Sequence, residues 1–392
     1  MSGSQNVSQP EFAQFEDLAS RRLGGSVVAA NDESFAEREN LIKPEPATFA
    51  GYTFGHKGQV MDGWETRRRR EAGHDWAIVR LGVPGVVRGV VVDTAFFTGN
   101  YPPEVSVEGA AVEGYPSASE FEQADWFPLV PRSAIGGDRE NPFAVEVSER
   151  VTHVRLCMYP DGGVARLRVH GEVVADPRYV LRGSMDLAAL ENGGTVVGAS
   201  NMFYSSPTAL ISPGQARVMG EGWETARRRD DGNDWVEFRL AGAGVVRIIE
   251  LDTSCFVHNA SGWATLRGRD AGAGSPTAID PAEDWVELLP RRRLQPDTRH
   301  RFRLAAGPEI THVRLDVFPD GGMARVRLWG DLSPAGRAAL AAQWFDLLPA
   351  AQARDILTTS YGLSTEEAAG VIAARPLADV SRLPAAVRAD LV

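Results

Sequence analysis

Only two cysteines, Cys157 and Cys255, occur in the 392 residues. That scarcity excludes a disulfide framework and reads as two reduced, buried thiols. No run approaches the ~18 consecutive apolar residues that a bilayer-spanning helix needs. The opening stretch, MSGSQNVSQPEFAQFEDLAS, lacks the basic and apolar regions of a secretory leader. A soluble, cytoplasmic protein is expected, with no membrane partner. Positive charge is also in deficit. A net charge of −11 argues against a nucleic-acid surface, and it obliges any site for a small anion to gather Arg or Lys locally. There is no Cys cluster and no HxxxH or HExxH spacing, so a metal would need ligands converging from distant loops. No cofactor and no metal ligand are therefore nominated. The Gly pairs have no strand–GxGxxG–helix context and read as turn-formers.

What the chain does have is a phrase written twice: MDGWETRRRREAGHDW from Met61 and MGEGWETARRRDDGNDW from Met219. Trp64 and Trp223 are 159 positions apart (223−64), as are Trp76 and Trp235, Asp93 and Asp252, Asn100 and Asn259, and Trp126 and Trp285. The same offset links THVRLCMYPDGGVARLRVHGEV from Thr152 to THVRLDVFPDGGMARVRLWGDL from Thr311. Upstream the offset is 169, since GGSVVAANDESF from Gly24 matches GGTVVGASNMFY from Gly193. The first copy therefore carries ten extra residues (169−159), within Ala47–Val60. A period of this length is too long for a solenoid unit of roughly 20–50 residues. It marks a duplicated whole domain.

Within each copy, WAIVRLG, VVRGVVVDT, VSVEG, HVRLCMY and ARLRVHG alternate apolar and polar residues or run apolar for a few positions. They are rich in β-branched residues and bounded by Gly, Pro, Asp or Asn, which is how strands read. The expected fold class is all-β: two tandem jelly-roll β-sandwiches plus a small helical C-terminal appendage. The reading divides the chain into a disordered tail (1–16), repeat one (17–175), a linker (176–184), repeat two (185–332) and a helical extension (333–392). Ser333 and Pro334 fit the N-cap and first position of the extension's first helix. Trp76 and Trp235 are expected at strand starts with their rings in the core.

The order of words in each copy resembles the discoidin-like, galactose-binding β-sandwich. A sharper resemblance covers nearly everything from Asp17 to Leu332. LASRRLGGSVVAANDESF, ENLIKPEPATF, MDGWETRRRR, GHDWAIVRLG, DTAFFTGNYPPEVSVEG and YPDGGVARLRVHGEV, six motifs in order, resemble the allantoicase family. That resemblance implies hydrolysis of allantoate to ureidoglycolate and urea. The extension lies outside it. Its DLLPAAQARDIL and AARPLADVSRL are faintly similar to the start of the ureidoimidazoline decarboxylases, but it has no catalytic His and no activity is assigned to it. Two alternatives stay open: a non-catalytic tandem module that binds carbohydrate or protein, and a hydrolase directed at ureidoglycolate. A homo-oligomer is left open as well.

The implied reaction breaks a C–N bond at a carbon bearing one carboxylate and two ureido groups. Urea leaves poorly unless it is protonated, so a general acid is expected, with a general base to activate water. The carboxylate calls for Arg. Loop residues of repeat one supply these types: His74, Asp62 and Glu65 for proton transfer, and Lys43, Arg67, Arg68, Asp75, Thr98, Asn100 and Tyr101 for binding. Repeat two offers Glu221, Glu224, Arg227, Asn233, Asp234, His258 and Asn259. Asymmetry favours repeat one, because His74 becomes Asn233, Lys43 becomes Ser212, Arg67 becomes Ala226 and Tyr101 becomes Ala260. Each candidate has a plainer alternative. Arg67–Arg70 can be a solvated strand edge, His74 a loop histidine on Asp75, and Asp62 or Glu65 a loop cap or a ligand of a structural cation. His153 and His312, at identical strand positions, read as structural, and Asp161 and Asp320 as turn residues.

Overall fold

A computed structural model describes residues 10–179, 183–271, 285–305, 307–377 and 379–391. Two eight-stranded sheets dominate it, one per repeat, with matching strand order. Each is organised by one long strand, Asp75–Asp93 in repeat one and Asp234–Asp252 in repeat two. The first half of Asp75–Asp93 pairs with Ser26–Ala30 on one side and Arg150–Tyr159 on the other. Its second half pairs with Arg166–Val173 and Glu140–Ala144. One strand thus serves both layers of a jelly roll, as the alternating and continuous apolar runs require. The change of partners falls at LGVPG, where the register of the neighbouring strand also slips between Val151 and His153. Gly82 is needed there, since a Cβ would lie 2.5 Å from the Leu23 carbonyl oxygen.

The cores hold Val79, Leu81, Val87, Val90 and Val92 in repeat one and Val236, Phe238, Ile249 and Leu251 in repeat two. Trp64 and Trp223 are fully buried, and each indole N–H donates to a main-chain carbonyl, of Asp32 and Asn201 respectively, at 2.8 and 2.9 Å. The tryptophans expected in the core, Trp76 and Trp235, are only half-buried. Trp76 packs on a satellite cluster of Ala29, Ile78 and Phe121, and Arg314 stacks over Trp235 at 4.3 Å. Their strand position turns the ring away from the space between the layers. The satellite cluster includes a short helix, Ala118–Glu122, closed by a capping box between Ser117 and Glu120. That S-x-x-E signal is legible in the sequence.

The structure bears on three of the expected stretches, the tail, the linker and the extension. Residues 1–9 lie outside the described set, but residues 10–16 are not a loose tail: Glu11–Gln14 forms a 3-10 turn, Phe12 is buried against His170, and Glu16–Asp17 joins the sheet. Of the linker, residues 180–182 lie outside the described set. The extension is helical, with Pro334–Leu347, Ala350–Asp355, Thr365–Ala373 and Ala385–Leu391, and Ser333 Oγ caps its first helix by accepting from the Gly336 amide. It does not form a third body. The chain divides into two compact units, Met1–Val174 with Leu347–Ser360 and Ala175–Asp346 with Tyr361–Val392. Among the described residues no helix is long and apolar enough to cross a membrane.

Candidate active site

The repeated phrase builds the same frame at one end of each sandwich. Asp32 accepts from the Arg67 amide at 2.9 Å, and Asp161 accepts from the Arg69 amide at 2.8 Å. The Arg69 guanidinium then donates to the buried Asp75 at 2.7 Å, beside Asn31 at 2.8 Å. Repeat two makes the same links with Asp320 to Arg228, Arg228 to Asp234, and Ser200 to Asp234. Asp161 and Asp320 are therefore more than turn residues, since each ties the PDGG turn to the Arg loop. Glu65 also has a duplicate. Asn100 donates to it at 2.7 Å, and Asn259 donates to Glu224 at 2.6 Å.

On that common frame repeat one adds structure. The ten extra residues form a hairpin, Phe54–Gly55 paired with Gly58–Gln59, turning through His56 and Lys57. Gly58, at φ 105°, takes the left-handed conformation the turn needs. Lys57 latches the tip by donating to the Glu33 carbonyl and pairing with Glu37, both at 2.8 Å. Phe49 stacks on Phe96 at the base.

Beneath the hairpin lies a cavity of about 380 Å³ lined by Phe35, Glu37, Lys43, His56 and Asp62, among others. Lys43 donates to Asp62 at 2.9 Å. The other Asp62 oxygen accepts from buried Arg166 at 2.8 Å and from the Thr48 amide at 2.9 Å. Burial works against ionisation of Asp62, but the hydrogen bonds from Arg166, Lys43 and Thr48 outweigh it and hold the carboxyl well below the usual range. A carboxylate this acidic is a poor proton acceptor. Its two oxygens hold Lys43, Arg166 and the Thr48 amide.

A second cavity of about 600 Å³ is lined by Asp32, Phe35, Arg67, Arg68, Arg69, Arg70 and Asp75, among others. Phe35 is common to both, so the two adjoin. Arg69 is committed to Asp75, while Arg67 is exposed and 3.9 Å from Asp32. Arg68 and Arg70 are exposed and have no ion-pair partner among the described residues.

The other expected residues lie apart from these cavities. His74 lines neither. It packs on Tyr159 with ring centroids 4.8 Å apart, and burial, then the charge of Arg155, lowers its pKa. Glu65 also lines neither cavity, and its carboxyl is directed to Asn100. Burial raises its pKa against that hydrogen bond. Thr98 and Asn100 are exposed on the neighbouring loop, and Tyr101 packs over Gly137, where a Cβ would lie 2.4 Å from its ring. Lys43 with Asp62, and Arg67 and Arg68 with Asp75, are thus brought together. Glu65 and Asn100 meet each other outside the two cavities, and His74, Thr98 and Tyr101 line neither cavity.

Two features went unforeseen. One is His56, inside the stretch that the changed offset had already singled out. The other is a cavity of about 740 Å³ in repeat two, whose lining includes Glu250, Asp252, Arg299, Arg301, Arg325 and Arg327. Glu250 pairs there with Arg299 at 2.8 Å and Arg301 at 2.6 Å. Comparison of the repeats hid it, because Val91, Glu140 and Pro142 occupy the matching positions in repeat one. Among the described residues no three His, Cys, Asp or Glu side chains are grouped to hold a metal ion.

Fold and rim together define the class: a tandem jelly-roll protein with charged cavities among the loops at its strand ends. The allantoicase repeat model matches residues 16–174 and 185–333. The chain is 56% identical to a probable allantoicase of Nocardia farcinica over 83% of its own length and 97% of that protein's. It is 40% identical to the allantoicase of Dictyostelium discoideum, over 80% and 86% respectively. The crystal structure of allantoicase from Saccharomyces cerevisiae superposes with a TM-score of 0.70 at 32% identity, covering 83% of this chain and 98% of that one. The chain belongs to the allantoicase family, and its helices beyond residue 333 lie outside the matched repeats.

Proposed function

We infer that this chain hydrolyses allantoate to ureidoglycolate and urea, a step of purine degradation, and that it does so at the rim of repeat one. The activity rests on one observation: 56% identity with a probable allantoicase along 97% of that protein. Its location rests on the asymmetry of the rims. Arg67 and Arg68 present guanidiniums to a cavity without internal carboxylate partners in hydrogen-bonding contact, which suits the substrate carboxylate. Across Phe35, the Lys43–Asp62 pair offers an ammonium donor and carboxylate acceptor to a ureido arm. In repeat two, by contrast, Arg299 and Arg301 are both committed to Glu250.

The test is urea release from allantoate by the purified full chain. Stoichiometric urea is the expected result. No urea from allantoate, with turnover of ureidoglycolate, would overturn the reading.

A further inference from the structure

We propose that His56, at the turn of the hairpin that repeat one has and repeat two, among the described residues, lacks, is the proton donor to the departing urea and the proton acceptor from the attacking water. The inference rests on allantoate being the substrate of this rim.

Elimination among the groups that line the cavity leads to His56. Asp62 has its two oxygens held by Lys43, Arg166 and Thr48. Lys43 is tied to Asp62, and Glu37 to Lys57. His56 lines the same cavity, is exposed, and has no hydrogen-bond or ion-pair partner among the described residues. Its charge reaches Glu37, whose carboxyl is held low first by the Lys57 hydrogen bond and then by the charges of Lys57 and His56. Imidazole is also the side-chain type suited to exchanging protons near neutrality in both directions.

The step balances with one group and one water. The imidazolium gives its proton to the ureido nitrogen as the C–N bond to the central carbon breaks and urea departs. Water forms the new C–O bond at that carbon and returns a proton to the neutral imidazole. Lys57 acts as a positioning residue, since its bonds to Glu33 and Glu37 fix the turn that carries His56.

The experiment compares the full chain with His56→Gln and Lys57→Ala, following urea from allantoate across pH. His56→Gln is expected to lower kcat by about 100-fold or more, to leave KM within about 3-fold, and to change the pH profile of kcat. Added imidazole should restore part of the rate to His56→Gly. Lys57→Ala should lower kcat by about 10-fold and keep the wild-type pH profile, because the proton carrier remains. The hairpin is exposed, so thermal midpoints should stay close to wild type. A His56→Gln protein that keeps kcat within about 3-fold, beside a wild type that releases urea, overturns this inference alone. A wild type that releases no urea from allantoate overturns the functional reading beneath it.

Discussion

At Trp64 and Trp223 the two repeats are interchangeable. Both indoles are fully buried, both bond a carbonyl of the same preceding loop, and both open a short strand leading into an Arg–Asp pair. At Lys43 and Ser212 they are not. Repeat one places an ammonium on Asp62 under an added hairpin, whereas Ser212 bonds back into its own turn through the Thr208 carbonyl. The duplicated phrase therefore encodes the frame, and the chemistry proposed above is placed where the copies disagree.

The strongest way to break this division is to remove the shared parts and look for unequal effects. Trp64→Ala and Trp223→Ala should each destabilise their own unit by about 3–5 kcal/mol, the range for emptying a large buried aromatic site. Guanidinium denaturation, with urea avoided as a reaction product, should give similar losses. Next in size, Arg69→Ala and Arg228→Ala each strip the cationic partner from a buried aspartate, Asp75 or Asp234, leaving it only Asn31 or Ser200 on one oxygen and no hydrogen bond on the other. Each should cost about 3 kcal/mol. A large loss in one repeat and none in the other would mean that the frame is not common.

How much of this was legible in the sequence follows the same line. The duplication, the strands and the place of the insertion came from spacing alone, because side-chain periodicity and offset are local properties. The orientation of Trp76 was not legible, since period-two alternation says that a residue faces one side of a sheet but not which side is covered. Asp62 is legible as a loop acid, but its partner Arg166 lies 104 positions away, on a strand, and only the fold brings that guanidinium onto the carboxylate and lowers its pKa. His74 drew attention as a difference between the copies. The difference marks a change of environment, the aromatic contact of His74 with Tyr159 where Asn233 donates to Asp316, and those partners are seen only in the folded chain.

A sharper test of the asymmetry uses exposed arginines, whose loss leaves the frame intact. Arg67→Ala should raise KM for allantoate by about 10–100-fold, the value of a charge-assisted contact to a carboxylate. Its thermal midpoint should hold, because Arg67 is 75% exposed on its side chain. Arg227→Ala, on the exposed loop of repeat two, should change neither KM nor stability. Equal rises in KM would place substrate contacts in both repeats and end the assignment to one rim.

The smallest effect separates frame from chemistry by pH. His153 is buried, its Nδ1 bonded to Thr152 at 2.8 Å and its Nε2 without a partner. Burial, with the nearby Arg80 charge, lowers its pKa from 6.5 to about 4. The unfolded chain thus binds a proton that the folded chain refuses between those values. The stabilisation is full above pH 6.5 and is lost as pH falls toward 4. From pH 7 to pH 5 this site should remove about 1–2 kcal/mol, and His153→Asn should lessen that slope while leaving the pH profile of kcat unchanged. If the substitution shifts the kcat profile as well, the buried frame and the reacting rim are coupled, and the division between what the repeats share and where they differ fails at that point.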